Sequence, residues 1–141
     1  MAKRTAVVAA LLAAAGMFGA EAQVQSGKTR PARTLYLMKG IVKPSFAGLD
    51  GAWKTGGPTS DEAWDAAAIQ AASLSEMSYA LMDDGRCPDK VWADACRKMQ
   101  EAAAAMIQAT EKKDASAGKT ALGGLKDSCG TCHKEHKKKK P

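Results

Sequence analysis

Apolar residues recur at alternating spacings of three and four along most of the chain after residue 34, and no segment alternates with a period of two. This spacing predicts amphipathic helices and no strand. The predicted buried faces are Leu35, Met38, Val42, Ser45, Leu49 and Ala52; Trp64, Ala67, Ala71, Leu74, Ser78 and Leu81; Trp92, Ala95, Met99, Ala102, Met106 and Ala109; and Leu122, Leu125, Cys129 and Cys132. Four helices with short connections predict an all-α, antiparallel four-helix bundle over residues 35–137.

The predicted helix boundaries come from proline, capping residues and polar connections. Pro44 lies inside the first helix, so we expect a kink near Lys43. Thr59-Ser60-Asp61-Glu62 fits a capping box that opens the second helix. Pro88 is expected in the first turn of the third helix, and the polar residues 112–117 connect it to the fourth.

The first 22 residues have the pattern of a cleavable secretory signal peptide. Lys3 and Arg4 precede an apolar run from Ala6 to Ala15, and Ala20-Glu21-Ala22 supplies the small-x-small cleavage pattern. The run is too short and too rich in alanine to predict a retained membrane span. We therefore expect a periplasmic protein whose mature chain has no membrane span, with a flexible lead-in over residues 23–34 and a basic tail over residues 138–141.

The segment Cys129-Gly-Thr-Cys132-His133 has the spacing of a c-type haem attachment site. Each thiol forms a thioether with a haem vinyl group, and the adjacent imidazole becomes an axial iron ligand. On a helix, positions i, i+3 and i+4 share one face. The same five residues are also compatible with half a zinc site or a thioredoxin-like dithiol.

The predicted buried faces are rich in alanine and serine, and the whole chain contains only two phenylalanines. Such faces bury little apolar area. A covalently held macrocycle between the helices would supply the missing apolar volume, which favours the haem interpretation.

The chain resembles the class II cytochromes c, which comprise the cytochromes c′ and their low-spin relatives. The resemblance rests on the export signal, four helices and Cys129-Gly-Thr-Cys132-His133 near the C-terminus, and also on Trp92 and the Lys113-Asp114 pair. It implies one covalent haem c, His133 as proximal ligand, and a family in which dimers are common. In many relatives two residues separate the histidine from an aromatic residue, and an arginine follows the aromatic. This chain has His136-Lys137 at those two positions.

The resemblance leaves two states for the other side of the iron. The segment Leu37-Met38-Lys39-Gly40 resembles the low-spin pattern, in which Met38 would be the distal ligand of an electron carrier. In the cytochrome c′ pattern the iron is five-coordinate and binds nitric oxide or carbon monoxide, and Met38 would only fill the core. Relatives place an arginine near this position on a haem propionate; Arg33 is one residue out of register, so we expect it to be solvated.

Cys87 and Cys96 form a second cysteine pair, and in an exported protein a disulfide is the first expectation. An unbroken helix from 87 to 96 would separate the Cα atoms by ~13 Å, whereas a disulfide tolerates at most ~7 Å. The bridge therefore requires Cys87-Pro88 to fold back over the start of the helix. The alternatives are two inert thiols or a zinc site that uses all four cysteines.

The excess of basic residues indicates what kind of partner to expect. The formal net charge is +6, and residues 137–140 are four consecutive lysines. They form either a solvated tail or a docking patch for an acidic redox partner protein. His136 is expected to be exposed, and nucleic acid is not an expected partner of an exported protein.

These observations predict an exported one-electron carrier rather than an enzyme, because no nucleophile, acid–base pair or substrate-pocket motif is visible. A five-coordinate gas-binding protein is the first alternative. A thiol oxidoreductase that uses Cys129 and Cys132 is the second, and it is disfavoured because no βαβ pattern accompanies the motif.

Overall fold

The computed structural model describes residues 26–137, which form four helices. Helix α1 covers residues 34–54 and consists of Thr34–Leu37, a π-helical turn at Met38–Val42, and Lys43–Lys54; α2 is Asp61–Met82, α3 is Lys90–Glu111 and α4 is Ala115–His136. Over these residues the model contains one isolated β-bridge and no strand, which confirms the all-α prediction. The predicted signal peptide, residues 23–25 and the predicted basic tail at 138–141 lie outside the described residues.

Neighbouring helices run in opposite directions. On α3 and α4, the Ser128 hydroxyl donates to the Ala95 carbonyl at 2.9 Å, and farther along α4 the His136 Nε2 lies 3.4 Å from the carboxylate of Asp89 at the start of α3. Helix α3 lies between α2 and α4, whereas α1 packs mainly on α2. Within the described residues no helix has the length and apolar character needed to cross a membrane.

The predicted buried faces of α2 and α3 are confirmed at every position. The buried residues of these two faces are Trp64, Ala67, Ala71, Leu74, Ser78, Leu81, Trp92, Ala95, Met99, Ala102, Met106 and Ala109. On α1 only Val42 and Leu49 of the predicted set are fully buried, and Met38 is partly exposed. Helix α1 therefore covers one side of the bundle and is less enclosed than the other helices.

Three helices begin at side-chain caps, and these caps shift the predicted boundaries. Ser60, Asp89 and Asp114 each accept a hydrogen bond from the backbone N–H three residues on. Because the first cap is Ser60, the predicted capping box with Glu62 in the reciprocal position is wrong by one residue. Pro88 precedes its helix, and α4 begins at Ala115, inside the predicted connection.

The helical irregularity that Pro44 predicts near Lys43 lies in the turn directly before it. Residues Met38–Val42 form a π-helical turn that ends directly before Lys43-Pro44. Proline has no N–H and its ring clashes with the carbonyl four residues before it, so a wider turn at this point accommodates it. Because the π turn begins at Met38, the hydrogen-bond spacing along the helix changes from four to five residues there.

The end of the bundle where α1 meets the start of α4 is closed by two tryptophans. The rings of Trp53 and Trp64 meet edge to face with centroids 5.9 Å apart, and the Trp53 indole N–H donates to the Ala115 carbonyl at 2.9 Å. Gly118 lies directly under the Trp53 ring, where a Cβ atom would overlap the indole. Gly123, on the same helix, has no neighbour within 4 Å of its Cβ position.

This contrast predicts opposite effects for two identical substitutions. Gly118→Ala should lower the free energy of unfolding by about 1–3 kcal/mol because Trp53 has to move. Gly123→Ala should raise it by up to about 1 kcal/mol because alanine is the better helix former and the site is open. Urea unfolding monitored by circular dichroism measures both. A Gly118→Ala protein at least as stable as the unsubstituted protein would contradict the packing described for Trp53.

Part of the predicted flexible lead-in is ordered against the bundle. Residues 26–33 are hydrogen bonded to the connection between α2 and α3, where the Asp84 carboxylate accepts from the backbone N–H groups of Thr29 and Arg30 at 2.8 and 2.9 Å. The turn after α2 thus supplies hydrogen-bond partners for the backbone of a segment that the sequence predicts to be flexible.

Candidate haem site

A small cavity lies where all four helices meet, at the end of the bundle opposite Trp53. Its volume is about 30 Å³, which is room for about two water molecules. Its walls are Met38, Val42, Leu81, Trp92, Ala95, Cys96, Met99, Ser128, Cys129, Cys132 and His133. The predicted attachment motif on α4 and the predicted distal ligand on α1 therefore line the same cavity.

The attachment residues occupy the last turns of α4. Cys132 is 9% exposed, Cys129 is partly buried one turn earlier, and His133 lies at the solvent edge. Ser128, fully buried, fixes this part of α4 against α3 through its hydrogen bond to Ala95. All three side chains of the motif face the cavity from one helix, as the spacing predicts.

Met38 enters from α1, at the junction of its first α-helical turn and the π turn. Its N–H donates to the Thr34 and Leu35 carbonyls, and its own carbonyl accepts from the N–H of Lys43. The side chain packs against the buried core. The backbone on both sides of Met38 is thus hydrogen bonded, and the position of the thioether depends on where α1 begins.

The surroundings of His133 favour the neutral imidazole. Burial against the cavity lowers its pKa, and the positive charge of Lys137 lowers it further. A neutral imidazole has a free nitrogen lone pair, which is the form that binds a metal.

The thiols around the cavity are poor nucleophiles as they stand. Burial raises the pKa of Cys132 to about 11, with further contributions from Cys129 and Asp89. Burial also raises the pKa of Cys129. Catalytic dithiols need the opposite shift, because the thiolate is the reactive form.

Cys87 and Cys96 lie beside this site as separate thiols in the structure. Burial raises the pKa of Cys96 to about 12, and the neighbouring Cys132 and Cys87 add to the shift. Cys87 lies outside the helix, since α3 starts only at Lys90, so the two cysteines are not separated by an unbroken helix. The bridge itself stays a prediction.

His136 is buried rather than exposed, which corrects the sequence prediction. It is 3% exposed, and its ring meets the Trp92 ring edge to face with centroids 5.2 Å apart. It occupies the position at which the resemblance expects an aromatic residue, and here the imidazole takes that place in the packing. The last turn of α4 is therefore fixed against α3.

Arg33 is not brought to the cavity. It precedes α1 as its N-terminal boundary residue, and its guanidinium lies 4.4 Å from the centre of the exposed Tyr36 ring. This agrees with the expectation of a solvated side chain.

The donor set fits a covalent haem. Two thiols, an imidazole and a thioether converge on one apolar cavity, which is the chemistry that c-type attachment and His–Met ligation need. The cavity of about 30 Å³ is smaller than a porphyrin, so the fit rests on the donor set and not on the volume. Among residues 26–137 no three His, Cys, Asp or Glu residues are grouped to hold a metal ion.

Sequence patterns did not identify Arg86 and Asp84 as important residues. Arg86 is 1% exposed and the Asp84 side chain 4% exposed, although both types are usually solvated. The turn signal at Asp83-Asp84-Gly85 marks the end of a helix, but the partners of these side chains lie more than fifty residues away in the sequence.

The chain was compared with protein-family models, curated proteins and solved structures, and none of them matches it.

Proposed function

We propose that this protein is an exported one-electron carrier with one haem c, tethered by Cys129 and Cys132 and ligated by His133 and Met38. The observation that carries the proposal is that Met38, from the opposite helix, lines the same cavity as the Cys-x-x-Cys-His motif. Methionines at helical spacing are ordinarily core residues, but this one faces the only chain segment with a haem-attachment pattern.

When bound, haem supplies an iron centre that takes up and releases one electron, and the chain's residues set its surroundings. The two thiols hold the group to α4, and the neutral imidazole of His133 gives the proximal nitrogen. The thioether of Met38 favours reduced iron and so raises the potential. Leu81 and Trp92, both at most 1% exposed, exclude water from the inner wall.

The electrostatics of the thiols favour this function over thiol–disulfide exchange. The pKa of Cys132 is raised to about 11 and that of Cys129 is also raised. A dithiol oxidoreductase lowers the pKa of its attacking cysteine, so the surroundings of these cysteines suit permanent thioethers better than reactive thiolates.

The surface next to the motif is basic. Lys39 and Lys43 are exposed on α1 beside Met38, and Lys134 and Lys137 are exposed beside His133, with Glu135 as an acidic neighbour. Electrons reach a buried haem through its exposed edge, and opposite charges raise the rate of encounter. We therefore expect the redox partner to be an acidic protein that docks here, with faster transfer at low salt.

The first test is the visible spectrum of the protein secreted by a bacterial host that matures c-type cytochromes. We expect a ferrous low-spin spectrum that changes little when carbon monoxide is added, because Met38 occupies the sixth position. A high-spin spectrum that shifts at once would contradict ligation by Met38 and favour the gas-binding alternative. A colourless protein would contradict the haem assignment.

A second prediction separates the two cysteine pairs. The double substitution of Cys129 and Cys132 by serine should abolish covalent haem, because no thioether can form. The matched double substitution of Cys87 and Cys96 should leave the haem in place and change only stability. The measurement is haem-stained denaturing gel electrophoresis. Haem that stays on the chain without Cys129 and Cys132 would contradict the assignment.

A third prediction concerns Met38 directly. Met38→Ala should produce a high-spin ferrous spectrum and fast carbon monoxide binding, because the sixth position opens. Met77→Ala is the control, since Met77 is also a partly buried methionine packed on the core but does not line the cavity. Equal spectra for the two variants would show that Met38 only fills space.

A further inference from the structure

The start of α1 is attached to the bundle by a set of contacts that the haem motif does not explain. The segment 26–33 lies across the turn 83–86 between α2 and α3, and we call these two segments together the clamp. The Lys28 N–H donates to the Asp84 carbonyl at 2.8 Å, and the Thr29 N–H and hydroxyl donate to the Asp84 carboxylate at 2.8 and 2.9 Å. The Arg30 N–H donates to the other carboxylate oxygen at 2.9 Å.

Arg86 forms the buried centre of the clamp. One of its terminal nitrogens donates to the Arg30 and Ala32 carbonyls, both at 3.1 Å, and the other donates to the Asp84 carboxylate at 3.3 Å. The side chain is 1% exposed. A charged group is this deeply buried only where its partners compensate for lost hydration. Two of those partners are backbone carbonyls of the segment that leads into α1.

The backbone of the clamp is itself specialised. Asp84 has φ 58° and Gly85 has φ 77°, so a non-glycine residue occupies the left-handed region in order to aim its carboxylate at the segment 26–33. Gly27 lies so close to the Asp84 carboxylate that a Cβ atom there would overlap it. Burial alone would raise the pKa of Asp84, but the hydrogen bonds from Thr29 and Arg30 and the charge of Arg86 lower it to about 2. The carboxylate therefore stays ionised, and its stabilising contribution is lost only as the pH falls from about 4 through about 2.

The clamp is connected to Met38 through three consecutive carbonyls of the chain, each of which accepts a hydrogen bond. Arg86 holds the carbonyl of Ala32. The next carbonyl, that of Arg33, accepts from Tyr36 and Leu37 in the first turn of α1. The carbonyl of the fully buried Thr34 accepts from the N–H of Met38. Helix α1 packs mainly on α2 and only slightly on α4, and the clamp adds a second restraint at the end of α1 that carries Met38.

We infer that Arg86, through Asp84 and the segment 26–33, is a positioning residue for Met38 and sets how readily the distal side of the iron opens to a small ligand. The inference rests on the proposed function, because it concerns the iron ligand of that same site. The buried Arg86–Asp84 ion pair does not line the cavity, and it acts on the iron site only through the position of α1.

The test compares Arg86→Gln with Arg97→Gln in the haem-bearing protein. Arg97 is a half-exposed arginine on α3 paired with Asp94, and it has no contact with the clamp. Loss of the restraint should raise the association rate of carbon monoxide with the ferrous protein about tenfold, the size expected for losing one or two charge-assisted hydrogen bonds. It should also weaken the long-wavelength band of methionine-ligated ferric haem. Arg97→Gln should change neither.

Hydrogen–deuterium exchange gives a readout that does not depend on the iron. In Arg86→Gln the amides of residues 29–38 should exchange about tenfold faster, while those of residues 95–110 keep their rates. Arg86→Lys separates position from charge: a lysine keeps the charge beside Asp84 but cannot bridge two carbonyls and a carboxylate. We expect Arg86→Lys to bind carbon monoxide nearly as fast as Arg86→Gln does.

A milder variant covers the case in which Arg86→Gln fails to fold. Thr29→Val removes one exposed hydrogen bond to Asp84 and should accelerate carbon monoxide binding two- to threefold, while Thr120→Val, on the surface of α4, is its control. Faster exchange with unchanged carbon monoxide binding and an unchanged ferric band would overturn the inference, because the clamp would then be structural only. Full rescue by lysine would overturn it as well. A haem-bearing parent protein that is already five-coordinate also overturns it, and a parent without haem overturns the proposed function and this inference together.

Discussion

The indole of Trp92 joins three of the four helices at the end of the bundle where the candidate haem site lies. Its N–H donates to the Leu81 carbonyl at the end of α2 over 2.8 Å, and its backbone N–H is held by the cap of α3 at Asp89. Its ring packs against His136 on α4 and forms a wall of the cavity. Removing the indole would leave a buried carbonyl without its donor, which costs about 1–3 kcal/mol. The position of Cys129-Gly-Thr-Cys132-His133 relative to the other helices depends on this residue.

The two ends of the bundle differ in how their side chains pack. At one end, Trp53 and Trp64 fill the space between α1, α2 and α4, and Gly118 lets the indole lie against the helix. At the other end the walls are smaller and include the thiols, and the covering helix contains a π turn. Helix α1 is therefore well anchored by its last turn and held at its first turn by the clamp.

The sequence predicts the helical architecture well, because its apolar residues recur with the 3.6-residue period of an α-helix. The faces of α2 and α3 were predicted residue by residue, from Trp64 to Ala109. Local signals were less exact: the cap at Ser60 and the start of α4 at Ala115 each depend on which of several neighbouring polar side chains reaches a free N–H. The π turn could be located only approximately from Pro44.

For the candidate site, the motif identified the residues on α4, and the resemblance identified Met38, but neither described their surroundings. His136 is buried against Trp92, which lies more than forty residues away in the sequence. Arg86 and Asp84 pair within a turn that has no repeating pattern. The alanine-rich faces favour a macrocycle that supplies apolar volume, whereas small side chains also allow helices to pack closely against one another. Composition alone does not separate these two outcomes.

The most direct test of the central claim is the mass of one peptide. Trypsin should release residues 127–134, which contain both cysteines and His133 between two lysine cleavage sites. The account predicts that this peptide, from protein secreted by a host that matures c-type cytochromes, carries one haem bound through both thiols. A peptide of unmodified mass, with free thiols or with a disulfide between Cys129 and Cys132, would contradict it.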